Sequence, residues 1–151
     1  ALKLPSGVNP LSFDPFAASS NAQTALAVEK VNVQLVATLS AFASAAEGAG
    51  ATEEEAFEAA LSALTSVVQA KQSMGSQLDL TNAADLSAVQ TAFTSASASL
   101  NGIDTAALNR IASDVTTAVK NVNTEVASLS NTNLDDQSNI NTFGLIGVLK
   151  Q

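Results

Sequence analysis

At 151 residues and 15.2 kDa the chain has the size of one domain, and 46 % apolar residues suffice for a sizeable core. A net charge of −8, with six basic residues scattered from Lys3 to Lys150, gives no basic footprint for nucleic acid and disfavours an anionic membrane surface. The chain has no His, Cys, Trp or Tyr, which removes the neutral-pH acid/base, the thiol nucleophile, thiolate zinc sites and any disulfide scaffold.

Charged residues are only 13 %, about half the usual share, whereas 29 residues are Ala, 18 Ser, 13 Thr and 12 Asn. The surface is therefore expected to be small and neutral-polar. No uninterrupted apolar run of about 18 residues occurs, so no membrane span is expected. Pro5 and Gly7 interrupt the first residues before an apolar run develops, and they do not read as a signal peptide.

Residues 1–19 hold all three prolines, Pro5, Pro10 and Pro15. Pro15 restricts Asp14 to extended backbone and withholds a donor, so no regular helix runs through it. The expectation is an extended arm whose Leu11, Phe13 and Phe16 dock on a bundle formed by 20–151.

From Ser20 the apolar period becomes helical. Val28, Val31, Leu35, Leu39, Phe42 and Ala46 form one stripe, widened by Leu26, Val33 and Val36, until Gly48 and Gly50 end it. Thr52 to Glu55 matches a capping box and opens a second helix with Phe57, Leu61, Leu64, Val68 and Lys71 on its stripe, stopped by Gly75. After a turn over 75–80, Thr81 or Asn82 caps a third helix carrying Leu86, Val89, Phe93, Ala96 and Leu100, closed by Asn101 and Gly102. Asp104 caps the fourth, with Ile103 and Leu108 as a hydrophobic staple. Its stripe runs Leu108, Ile111, Val115, Val119, Val122, Val126 and Leu129 at heptad-like spacing. A fifth helix over 134–150 carries Ile140, Phe143, Ile146 and Leu149, with Gly144 and Gly147 either permitting close packing or marking a break. The predicted class is all-α: an antiparallel bundle of four to five helices preceded by an extended proline-containing arm.

The carboxylates Glu53, Glu54, Glu55 and Glu58 suit the first turns of a helix, where they complement its dipole and cap its amides. The segment 79–85 offers Asp79 and Asp85 as a weaker calcium-type candidate, beside which the two have turn and helix-start roles. The loop holding Asn131, Asn133, Asp135 and Asp136 alternates oxygen side chains as calcium loops do. Counting from Asn131, however, the glycine of an EF-hand falls on Asp136 and its closing Glu on Thr142. A looser calcium site through these four residues is the leading metal expectation, and no other cofactor is expected. No Ser-x-x-Lys motif supplies a lysine base for a serine, so no enzyme is expected.

Several short words carry a resemblance: 4–7 with 10–16, 25–31, 47–51, Thr142 with Phe143, and Val148 with Leu149. Together they resemble helical modules of very large, repetitive RTX/cadherin-like secreted or surface proteins of Gram-negative bacteria. The resemblance implies an extracellular, calcium-rich setting, with neighbouring domains of a longer chain or a surface ligand as partners. The function expected is a structural or interaction module, monomeric, acting as a rigid spacer or presenting a helical face. The alternatives are a self-assembling secreted filament subunit or adaptor, pairing through 108–129, and a bundle with an apolar ligand cavity.

Overall fold

The computed structural model describes residues 2–9, 11–14, 17 and 20–130. These contain four helices and no strand: α1 (Ala22–Gly48), α2 (Glu53–Ser73), α3 (Ala83–Ser97) and α4 (Thr105–Ser128). The fifth predicted helix, and Pro10, Pro15 and Phe16 of the arm, lie outside the described residues.

Each helix starts where a side-chain oxygen takes the orphan amides of the first turn. Asn21 accepts from Gln23 N and Thr24 N, Asn82 from Ala84 N and Asp85 N, and Asp104 from Ala106 N and Ala107 N. Thr52 and Glu55 close the predicted capping box reciprocally. Gly50 follows α1 at φ +111°, where a Cβ would stand 2.9 Å from the Gly102 carbonyl oxygen. That close approach, with Asp104 N donating to Ala49 O at 2.9 Å, ties the α1–α2 turn to the α3–α4 turn.

α1 packs on α2 and α4, and α3 completes the circuit between those two. The α1–α4 pairing is antiparallel: Lys30 meets Ala127, Gln34 meets Asn123, and Gly48 faces Ile111. Phe42 and Phe93 cross the centre from α1 to α3, ring centroids 4.9 Å apart and tilted by 48°. Around them Leu86, Val89, Leu108 and Val119 are fully buried. The α4 stripe points inward, with Leu108, Val119 and Val126 all buried within one chain.

α2 departs from the expected stripe. Its buried face is Ala56, Ala59, Ala60 and Ala63 with Leu64 and Val67, set against a core that includes Ala43, Ala45 and Ala46 of α1. Methyl-sized side chains let two helices approach at the short end of the usual 8–10 Å range. Facing alanines therefore take the interface and turn Phe57 (49 % exposed) and Leu61 (44 %) outward. Val36, expected to widen the buried stripe of α1, is 53 % exposed.

The N-terminal stretch also differs in its contacts. Leu11 is 95 % exposed and does not dock, and Phe13 is half-buried. Leu2 instead packs against the core and forms an isolated parallel bridge with Leu78 of the α2–α3 loop. α1 is long and apolar enough to cross a membrane by length and composition, with a mean hydropathy of 1.2 over 18 residues. The expectation of no span rested on uninterrupted apolar runs. In this fold 44 % of that 18-residue window is buried, and α1 packs against α2 and α4.

Candidate functional site

Most of the long-range polar contacts gather at one end of the bundle, around the α2–α3 loop. Leu78 and Leu80 enter the core from this loop, which fixes the backbone between them. Asp79 therefore projects outward, where its carboxylate accepts from Lys3 Nζ at 2.7 Å, Thr81 Oγ1 at 2.6 Å and Thr81 N at 3.0 Å. Burial alone raises the Asp79 pKa. The Lys3 ammonium and the two Thr81 donors outweigh it and hold the carboxyl at about 2.

The backbone amide of Asp79 donates to Asp85 Oδ2 at 2.8 Å, and the other Asp85 oxygen accepts from Lys71 Nζ at 2.5 Å. A continuous chain of contacts thus runs from the N-terminal stretch through the loop to the last turn of α2 and the first turn of α3. Its inner pair is well covered, with side-chain exposures of 22 % and 11 %, whereas the outer Lys3–Asp79 pair is at 64 % and 28 %.

Behind the loop lies a buried polar knot. Asn123 of α4, with no exposed surface, donates from Nδ2 to Leu80 O at 2.9 Å and to Thr38 Oγ1 at 3.2 Å. Thr38 donates to Gln34 O at 2.6 Å, and Gln34 Nε2 to Asn123 O at 2.9 Å. Loop, α1 and α4 are joined through this knot, and Asn123 Oδ1 has no partner within it.

Between knot and ion pairs is a cleft of about 200 Å³, lined among others by Leu2, Lys30, Gln34, Leu80, Thr81 and Ala127. Small-molecule pockets generally measure about 300–1,000 Å³. Lys30 reaches across the cleft to Ala127 O at 2.9 Å, one of the last carbonyls of α4, and its partial burial lowers its pKa. Both lysines of the cleft thus bridge separate parts of the chain. The chemistry available here is that of a joint.

Asp79 and Asp85, taken in the sequence as the two ends of one segment, are each paired with a lysine. Glu55 serves the capping box. No group of three or more Asp or Glu among the described residues is placed to hold a metal ion. The calcium candidates Asn131, Asn133, Asp135 and Asp136 lie outside the described residues.

The sequence reading missed Gln34, Thr38 and Asn123. A signal existed: Asn123 lies four residues after Val119 and three before Val126, a polar residue inside an apolar stripe.

A second surface lies along α1 and α2. Phe57 stands beside a shallow groove of about 380 Å³ lined by Ser40, Ala43, Ser44, Glu47 and Glu53. Leu61 follows Phe57 one turn further along α2, and Val36 precedes Ser40 by one turn on α1. All three apolar side chains are about half exposed.

Comparison of the chain with protein-family models, with curated proteins and with solved structures finds no match.

Proposed function

We propose that this chain is a non-enzymatic structural module of a large secreted or cell-surface bacterial protein, working as a rigid spacer between neighbouring domains. The observation that carries the reading is the joint at the α2–α3 loop. Leu2 and Lys3 are held to Leu78 and Asp79, and that loop is tied in turn to α2, α3, α1 and α4. A spacer has to fix the direction in which the chain joins it, and the N-terminal stretch, anchored through Leu2 and Lys3, is the segment that does so. The cysteine-free composition and the resemblance to helical modules of giant repetitive surface proteins support the same setting.

The test uses the absence of native cysteines. Spin labels at Ser6→Cys and Thr117→Cys, both at exposed positions, report the distance between the N-terminal stretch and α4. A rigid junction gives one narrow distance distribution. A broad distribution that Lys3→Ala leaves unchanged refutes the spacer reading.

A second reading, presentation of a helical binding face, is favoured by the exposure of Val36, Phe57 and Leu61 on adjacent helices. Half-exposed large side chains on two neighbouring helices are the kind of surface that marks interaction sites.

A further inference from the structure

The groove between α1 and α2 carries its apolar and charged groups in a fixed order. Val36 and Leu61 stand at one end, Phe57 beside Ser40 and Ser44 in the middle, and Glu47 and Glu53 at the other end, next to the α1–α2 turn. Glu54 precedes Phe57, and Glu58 precedes Leu61, by three residues on the exposed side of α2. None of these four carboxylates is in an ion pair among the described residues. On the reading that the α1–α2 face binds, we propose that its occupant is a basic amphipathic helix of another polypeptide. That helix buries aliphatic side chains against Phe57, Leu61 and Val36 and sets lysine or arginine against Glu47 and Glu53.

Backbone chemistry selects a helix. Both walls of the groove are α-helices, whose amides and carbonyls are already paired, so an extended segment finds no edge to join. A helical partner satisfies its own backbone and needs only a trough for its side chains. Val36 and Glu47 are about 16 Å apart along α1, which is about three helical turns. Over that length the small Ser40, Ala43 and Ser44 leave room for side chains spaced three and four residues apart.

Charge selects the sign. Four carboxylates around one groove, in a chain with only 13 % charged residues, repel an acidic helix or an anionic lipid surface and attract lysine and arginine. A second copy lacks the complement. Its own α1–α2 face repeats the same carboxylates. Its Lys3, Lys30 and Lys71 hold Asp79, the Ala127 carbonyl and Asp85. Arg110 and Lys120 lie on α4, where no large apolar side chain is exposed.

The experiment is an NMR titration of the isotope-labelled full chain with three peptides of about 18 residues, long enough for helix formation. Each carries leucine at helical spacing on an alanine background, with its polar positions filled by lysine, glutamine or glutamate. The lysine peptide is expected to shift the amides of Val36, Ser44, Phe57 and Leu61 and to bind about tenfold more tightly than the glutamine peptide, while the glutamate peptide does not bind. Phe57→Ser, at a half-exposed position, removes these shifts and leaves the core amides in place. Glu47→Gln combined with Glu53→Gln brings the lysine peptide down about tenfold, to the level of the glutamine peptide. Equal binding of the lysine and glutamine peptides overturns the proposal and leaves a binding face of other specificity. No shift at these positions with any peptide overturns both. Shifts that follow carboxylates over the whole surface and survive Phe57→Ser also overturn the proposal. So does a concentration-dependent shift of the same amides without peptide, which identifies a second copy as the occupant.

Discussion

Replacing Asn123 by Ala is the most informative single perturbation of the joint. It deletes two hydrogen bonds, to Leu80 O and to Thr38 Oγ1, at about 1 kcal/mol each. Leu80 is buried, and its carbonyl then loses its donor, adding a desolvation penalty of about 1 kcal/mol. Removing Oδ1, itself buried without a partner, returns about 1 kcal/mol. The expected net loss is about 2 kcal/mol in urea unfolding followed by far-UV circular dichroism. A double-mutant cycle with Thr38→Val sharpens the test, because Thr38 both accepts from Asn123 and donates to Gln34 O. Residues sharing one network couple by at least about 0.5 kcal/mol, whereas independent sites add to within about 0.3–0.5 kcal/mol. Additivity, or an Asn123→Ala variant within about 0.5 kcal/mol of the parent, refutes the knot as a source of stability.

Phe93→Ala removes a fully buried ring in tilted contact with Phe42 and is expected to cost about 3–5 kcal/mol in the same assay. A cost below about 1.5 kcal/mol, the range of volume-conserving swaps, shows that the two rings are not the centre of the core. Gly75→Ala meets open space at φ +65° and carries only the left-handed backbone penalty of about 1 kcal/mol. Gly50→Ala adds to that penalty a contact of 2.9 Å with the Gly102 carbonyl, so its midpoint falls clearly further; equal midpoints refute the packing of the two turns. The Asp79 carboxyl, depressed from an ordinary 3.8 to about 2, contributes stability that is complete above about pH 4. That contribution is lost as the pH falls through about 2. Lys3→Ala raises the Asp79 pKa towards the ordinary value, read by carboxyl NMR titration, and an unchanged pKa removes Lys3 from the joint.

The helices and their caps were legible because they depend on neighbours in sequence. The Thr52–Glu55 box, the Asp104 cap and the fourth stripe use residues three or four apart, and each is present in the fold. The buried face of α2 was not legible by the same route. Choosing Phe57 and Leu61 as the core stripe follows side-chain hydrophobicity, but which face is buried depends on what the partner helix offers. Here α1 offers alanines, and alanine packs closely on alanine. The joint was harder still. Leu78 and Leu80 alternate within a segment read as a turn, and they become core residues because Leu2 and Asn123 arrive from distant parts of the chain. Asp79 and Asp85 were visible as one segment, yet their lysines, Lys3 and Lys71, stand 76 and 14 residues away from their partners.

The joint has two tiers that respond differently to salt. Lys3–Asp79 is largely exposed, a class of pair worth about 0–1 kcal/mol and screened within about 8 Å at physiological ionic strength. Lys71–Asp85 is mostly covered, and Asp85 is held in addition by the Asp79 amide, so screening reaches it less. Raising the salt should therefore loosen Lys3 first while Leu2 stays packed beside Leu78, whose burial does not depend on charge. Hydrogen exchange across a salt series measures this order directly. The amide of Asp79, bonded to Asp85, should keep its protection at salt concentrations where the Lys3 contact is lost. Simultaneous loss at both places would mean that the outer ion pair, and not the apolar and buried polar contacts, holds the N-terminal stretch to the bundle.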